Sequence, residues 1–257
     1  LLAMGLGPIT PYRQARASVV WERIRTPLRV ALAAGAGIVL LGERTGYLVL
    51  GIVAGTFVIG VIVRQLWVTA RQAAVKQGQP VWRSLGKTVR RDPRYWGGQI
   101  SHIGVAILAM GIAISANQGM ETQVTLEPGQ TVEFAGHELT YLEDFSRQEP
   151  NRTVLGARVE VTRDGSALAV LEPRLNQYAR SAQPVATPAV DTSLRGDFYL
   201  SLTGIGGGRI SLDVFWFPFV WMIWLGGLLA AAAGMFSLVV RKPARQPVVP
   251  EEAAEIV

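Results

Sequence analysis

The sequence predicts a polytopic α-helical membrane protein with an extracytoplasmic β-rich domain. Three observations predict it: uncharged runs of membrane length, arginines and lysines gathered beside those runs, and one long segment patterned as short strands. Of 257 residues, 49% are hydrophobic and 17% charged, where a soluble domain carries about 25% charge. The net charge is +6, but the cations flank apolar runs and do not line one polar face, so a nucleic-acid partner is not expected. The absence of cysteine excludes disulfides, thiolate catalysis, iron–sulfur clusters and cysteine zinc sites. The chain opens Leu1-Leu2-Ala3, without a charged leader before an apolar core, so it does not read as a standard signal peptide; it reads as a fragment or a processed chain.

The longest run, residues 214–240, holds 27 residues without a charge, enough to cross about 30 Å of hydrocarbon with tilt to spare. Phe215, Trp216, Phe217, Phe219, Trp221 and Trp224 crowd its start, and aromatics favour the headgroup level. Residues 97–116 form a second run of 20 and residues 46–63 a third of 18. Residues 30–42 number 13, short for a span unless Arg29 and Arg44 snorkel at its ends. Orientation follows the cations. Residues 64–94 hold eight basic residues and one acid, whereas residues 117–213 hold 13 acids and 8 bases. Counting the short run as a crossing places every basic region on the cytoplasmic side.

The predicted organisation is a cytoplasmic-side N-terminal segment (1–27), two transmembrane helices with a short outer turn (28–63), a basic cytoplasmic loop (64–96), a transmembrane helix carrying His102 (97–117), an extracytoplasmic β-rich domain (118–213), a last transmembrane helix (214–240), and a cytoplasmic tail (241–257) whose prolines and glutamates predict disorder. Within the outer domain, Glu127-Pro128-Gly129-Gln130 reads as a turn, residues 135–138 as a hairpin loop, and Asp164-Gly165 as a second hairpin. The alternation of residues 156–161 and the partner run 167–171 fit a small sheet or partly open barrel. Pro184 and Pro188 mark an extended link. A strand is expected over 198–202, and residues 210–214 are expected to lead into the last helix.

The chain has two histidines. His137 falls in a predicted turn and reads as solvent-exposed, with no spaced second ligand. His102 lies five or six residues into a membrane run, where an ionisable group is costly unless paired or coordinated. Three readings stay open for it: a metal or cofactor ligand, a helix–helix hydrogen bond, and a residue at the lipid interface. Small neighbours (Gly98, Gly104, Ala106) allow close approach of a helix or a planar cofactor. A second axial ligand to a six-coordinate iron is not offered by the membrane part, where Met110, Met222 and Met235 are weaker candidates. The run 90–94 and Trp82 read as headgroup anchoring. Gly204, Gly206, Gly207 and Gly208 lack the Lys-Ser/Thr and following helix of a phosphate loop. No Ser–His–Asp or paired-carboxylate set is visible.

Several stretches, in order along the chain, resemble the C-terminal portion of the CcmF/CycK/NrfE type of cytochrome c biogenesis haem lyase proteins. They are Gly5-Leu6-Gly7-Pro8; the run Tyr95 to Ala106 with His102 inside it; Glu149-Pro150-Asn151, followed by Arg152 where that family has Tyr; Leu171-Glu172-Pro173-Arg174 with Tyr178; Asp197-Phe198-Tyr199-Leu200-Ser201-Leu202; and Phe217 to Gly227. The resemblance implies a role in joining haem to apocytochrome c at the outer face of the cell inner membrane. It implies a haem b within the membrane with His102 as one axial ligand. It also implies partners: a complementary N-terminal half or subunit supplying the second ligand, a haem chaperone of the CcmE type, apocytochrome c and a CcmH-type thiol reductant, in a lipid membrane. Activity alone is not expected. A competing class is a structural scaffold subunit that displays a β-domain without binding haem. A transporter subunit would need more polar intramembrane groups than the sequence holds.

Overall fold

A computed structural model describes Met4 and residues 17–238. The stretch Gly5-Leu6-Gly7-Pro8 and the tail 241–257 lie outside the described residues. The chain runs through α1 (Ala17–Leu40), α2 (Gly46–Gln77), α3 (Val81–Arg91) and α4 (Pro93–Gln118), then ten strands, then α5 (Val220–Ser237). Among the described residues, three helices are long and apolar enough to cross a membrane: α2, α4 and α5.

Residues 30–40 of the short run are the later part of α1, whose earlier part carries Glu22, Arg23, Arg25 and Arg29, and Leu41-Gly42 form the turn after it. α1 lies antiparallel to α2: Gly35 abuts Val53, Gly60 leaves room for Pro27, and Arg64 donates to the Glu22 carbonyl at 3.3 Å. The charges of α1 therefore stand level with Arg64, where the apolar run of α2 ends.

The expected loop at residues 64–96 is mostly helix. α2 continues as 32 residues, about 48 Å long and well beyond about 30 Å of hydrocarbon, until Gly78 ends it at φ 60° with its N–H on the Ala74 and Val75 carbonyls. α3 follows, and Asp92 then caps α4 by accepting from the Tyr95 N–H at 3.1 Å, with Pro93 in the first turn. Helix formers such as Gln72, Ala73, Leu85 and Lys87 carry the backbone on after the apolar run stops.

α4 and α5 pack through small residues. A Cβ on Gly104 would lie 2.5 Å from the Ala230 nitrogen and 2.7 Å from the Gly226 carbonyl. One on Gly226 would collide with the Leu108 nitrogen, and one on Gly97 would reach Ser237 at 2.8 Å. Ser101 donates to the Ala230 carbonyl at 3.0 Å. Backbones this close are the small-residue mode of membrane helix pairing.

Outside the membrane two antiparallel sheets face each other. One is ordered β1 (Met120–Leu126), β10 (Arg209–Pro218), β9 (Gly196–Gly206), β8 (Ala189–Thr192). The other is ordered β2 (Thr131–Phe134), β3 (His137–Glu149), β4 (Arg152–Arg163), β6 (Arg174–Tyr178), β7 (Val185–Thr187), with β5 (Ser166–Leu171) also on β4. Alternate residues point inward: Phe198, Leu200 and Leu202 from β9, Ile210, Leu212 and Val214 from β10, and Ala157, Val159 and Val161 from β4 form one buried core. The turns predicted at 127–130 and 164–165 form as read. Gln130 donates to the Glu127 carbonyl at 2.9 Å with Gly129 at φ 81°, and Asp164 and Gly165 both take positive φ.

Two expectations are corrected. The aromatics Phe215, Trp216 and Phe217 do not open the last helix; they end β10, paired with β1 and β9, and the strand turns into α5 at Phe219, φ 56°. The hairpin loop expected over 135–138 is only Ala135-Gly136, both at positive φ, so His137 is the first residue of β3, paired with Phe134. β1 starts two residues after α4, and β10 ends two residues before α5. The sandwich thus rises on two paired strands directly from the tightest helix pair.

Candidate functional site

His102 sits on α4, and its surroundings follow from the 100° step per residue. Gly97, Ser101, Gly104 and Gly111 meet α5. Ala106 packs in one apolar cluster with Val58 and Ile62 of α2, with Ile103 against it. Met110 and Ala113 meet Gly55 and Gly51. His102, Gly98, Val105 and Ala109 fall on one of the arcs between these faces, His102 nearest the α2 face. A Cβ added at Gly98 would meet nothing within 4 Å. The His102 ring is half-buried, and its Nδ1 is enclosed with no hydrogen-bond partner.

His137 differs from its predicted place. It is 3% exposed, wedged between Phe198 and Trp216 with ring centroids 4.9 and 5.0 Å away, and its Nδ1 lies 3.0 Å from the Ala135 carbonyl. Burial pushes its imidazole below the ordinary range, against a smaller upward pull from that carbonyl. The two-residue turn makes the difference: a four-residue loop would have left it in water, whereas the tight turn brings it into the ladder facing the opposite sheet.

Asp197 of β9 carries no sequence signal of burial. It is 3% exposed, with Oδ1 lacking a partner. Burial raises its carboxyl above the usual range, while a hydrogen bond with Thr192 opposes the shift.

At the far end of the sandwich, stretches distant in sequence come together. Arg152 Nε donates to Glu149 Oε2 at 2.7 Å, and its Nη1 to the Tyr178 hydroxyl at 3.2 Å. Glu172 accepts from Arg174 at 2.8 Å and Arg158 at 3.1 Å; Arg158 also pairs with Glu143. Both arginines lie over the Phe145 ring, which itself covers Gly156. These ion pairs satisfy one another. Among the described residues no group of three or more His, Cys, Asp or Glu side chains converges as a metal cluster.

Helices that cross the bilayer, cations on one side and a sandwich carried on the other define a multi-pass membrane protein with an extracytoplasmic β-domain. Residues 117–218 match the family described as CcmF C-terminal beta-sandwich. The chain is 30% identical over 214 residues to the cytochrome c-type biogenesis protein CcmF of Pseudomonas fluorescens, covering 83% of this chain and 31% of that protein. It is 27% identical over 249 residues to CycK of Bradyrhizobium diazoefficiens, covering 93% and 36%. The solved structure of a cytochrome c heme lyase CcmF shares the fold, with TM-score 0.76 and 22% identity over 93% of this chain and 38% of that one. The chain therefore matches the CcmF/CycK/NrfE family of cytochrome c-type biogenesis proteins. It spans between 31% and 36% of the length of these two relatives.

Proposed function

We propose that this chain forms the C-terminal part of a cytochrome c maturation haem lyase, and that His102 provides one axial ligand to a haem b held in the membrane. The observation that carries the reading is a half-buried imidazole whose enclosed nitrogen has no partner, on an α4 arc between its contacts with α2 and α5. An imidazole at membrane depth is costly unless it is partnered; Nδ1 is enclosed by this chain, so coordination to a metal falls to Nε2. Gly98 and Ala109 beside it leave room for a planar group, so the residues present fit one axial position. A bound haem supplies one-electron transfer at its iron. This chain's own contributions are to fix the imidazole on a rigid helix, keep its surroundings apolar, and join that helix to the outer domain without a flexible linker. His137 is committed to the sandwich core, so the second ligand comes from a complementary N-terminal half or subunit.

In this reading α1 crosses beside α2, its charges at the cytoplasmic boundary. The sandwich faces the compartment where a haem chaperone, apocytochrome c and a thiol reductant meet. The chain has no cysteine, so the sulfurs that take up haem belong to the apocytochrome. A scaffold reading has one observation in its favour: the sandwich and the helix pair are joined by continuous paired strands, as a rigid strut requires. His102→Ala in the assembled complex separates the two. Intramembrane haem content, read by the visible spectrum with and without competing imidazole, is expected to fall while the β-domain stays folded. An unchanged spectrum would leave the scaffold.

A further inference from the structure

We propose that the cytoplasmic end of the bundle holds a site for the phosphate of an anionic phospholipid, in the cleft between α2, α3 and α4. The site is independent of His102. The cleft has a volume of about 430 Å³ and is lined by Ser84, Lys87, Thr88 and Arg91 of α3, facing Thr69 and Gln77 of α2. Ser84 is 1% exposed, yet its hydroxyl is enclosed with no hydrogen-bond partner. A buried unpaired hydroxyl is destabilising, and a phosphate oxygen is the acceptor that would remove the cost. Among the described residues, neither cation of the cleft is neutralised. Lys87 donates to the neutral Gln79 amide, at 2.7 Å, and none of the ion pairs there engages Lys87 or Arg91. Asp92 also borders the cleft, but its carboxylate accepts the Tyr95 N–H at the start of α4.

The surroundings favour a lipid over a soluble anion. One helical turn deeper, from Thr69 to Leu66 on α2 and from Trp96 to Ile100 on α4, lies a second cleft of about 470 Å³. Its walls are almost wholly apolar, with Leu85 and Val89 of α3 and Phe236 of α5 among them. The polar cleft thus stands where a headgroup sits and the apolar one where acyl chains begin. α3 lies across both, with Trp82 exposed beside them and the Arg83 guanidinium 4.9 Å over its ring, the character of a helix at a membrane surface.

Native mass spectrometry of the purified full chain, mixed with phosphatidylglycerol, phosphatidylcholine or inorganic phosphate, tests the site. One phosphatidylglycerol is expected to stay bound where phosphatidylcholine does not, with inorganic phosphate failing to displace it. Lys87→Gln combined with Arg91→Gln should lower the retained fraction by about tenfold or more, and Ser84→Ala should lower it less. Arg71→Gln with Arg94→Gln, two cations outside the cleft, should leave it unchanged. Should the double variant lose its circular dichroism, Arg91→Gln alone, at an exposed position, carries the same comparison. Equal loss with the outside pair means a diffuse basic surface and overturns the site. Equal retention of phosphatidylcholine, or displacement by inorganic phosphate, overturns the anionic lipid.

Discussion

One helix presents two opposite designs. Toward α5, α4 is closed: Gly97, Ser101, Gly104 and Gly111 let the two backbones touch, and an added methyl would strike main chain. Between α5 and α2 it is open: Gly98 has free space around it, and His102 stands beside it with an unpartnered nitrogen. The two histidines repeat the contrast. His137 spends its ring on Phe198 and Trp216 and its Nδ1 on a carbonyl, whereas the His102 Nδ1 has no such partner. The lesson is that a glycine or histidine does not declare its role by type. It is a packing element where its neighbours belong to the same chain, and a candidate contact site where they do not.

The largest expected effect tests the closed face. Gly104→Leu drives a side chain into the Ala230 and Gly226 backbone and should cost about 3 kcal/mol or more. Thermal unfolding of the purified protein checks it; a melting temperature equal to the wild type would mean the seam is not tight. Gly98→Leu, on the open face of the same helix, is the counterpart. It should leave melting unchanged and lower intramembrane haem content, and a loss of fold would show that face to be covered from within.

His137→Ala comes next. It empties a well-packed site and should destabilise the sandwich by about 2–3 kcal/mol while leaving haem in place, the inverse of His102→Ala. Its titration sharpens the point. The native imidazole is held below its ordinary 6.5 by burial, so below that value the unfolded state binds more protons than the native state. The stability it contributes is complete above about pH 6.5, and is lost as pH falls toward the lowered native value. Chemical denaturation of the domain across that window should show this slope, and His137→Phe should flatten it.

Asp197→Asn gives a smaller effect of opposite sign. Its carboxyl is raised above 3.8 by burial, so Asp197 favours the fold at low pH and opposes it once pH rises through the native value. The amide should therefore stabilise the domain at neutral pH, with the gain vanishing in acid. The smallest change is expected from Arg152→Gln, which removes a partly exposed ion pair with Glu149; the denaturation midpoint should scarcely move.

Much of the fold is legible in the sequence. The apolar runs of α2 and α4 announce themselves by length, and Pro128-Gly129 and Asp164-Gly165 mark turns because few other residues take those backbone angles. Three features are not legible. Phe215 to Phe217 reads equally as helix or strand, because an unbroken apolar run has no period to distinguish them; pairing with β1 and β9 decides it. The helical continuation beyond Arg64 has no apolar signal, and its order comes from α3 folding back against α2. The place of His137 turns on a two-residue difference in loop length, which moves a side chain from water to core because strand faces alternate.

Hydrophobic length, the placement of cations and the turn residues by themselves determined that this protein spans a membrane and carries a β-domain on one side, since each acts through its neighbours along the chain. Which glycines close a seam, which histidine is spent in the core, and how far β10 runs before becoming α5 were decided only by the tertiary structure. Those depend on what lies across a few ångströms of space from residues as much as 129 positions away, as Ser101 is from Ala230.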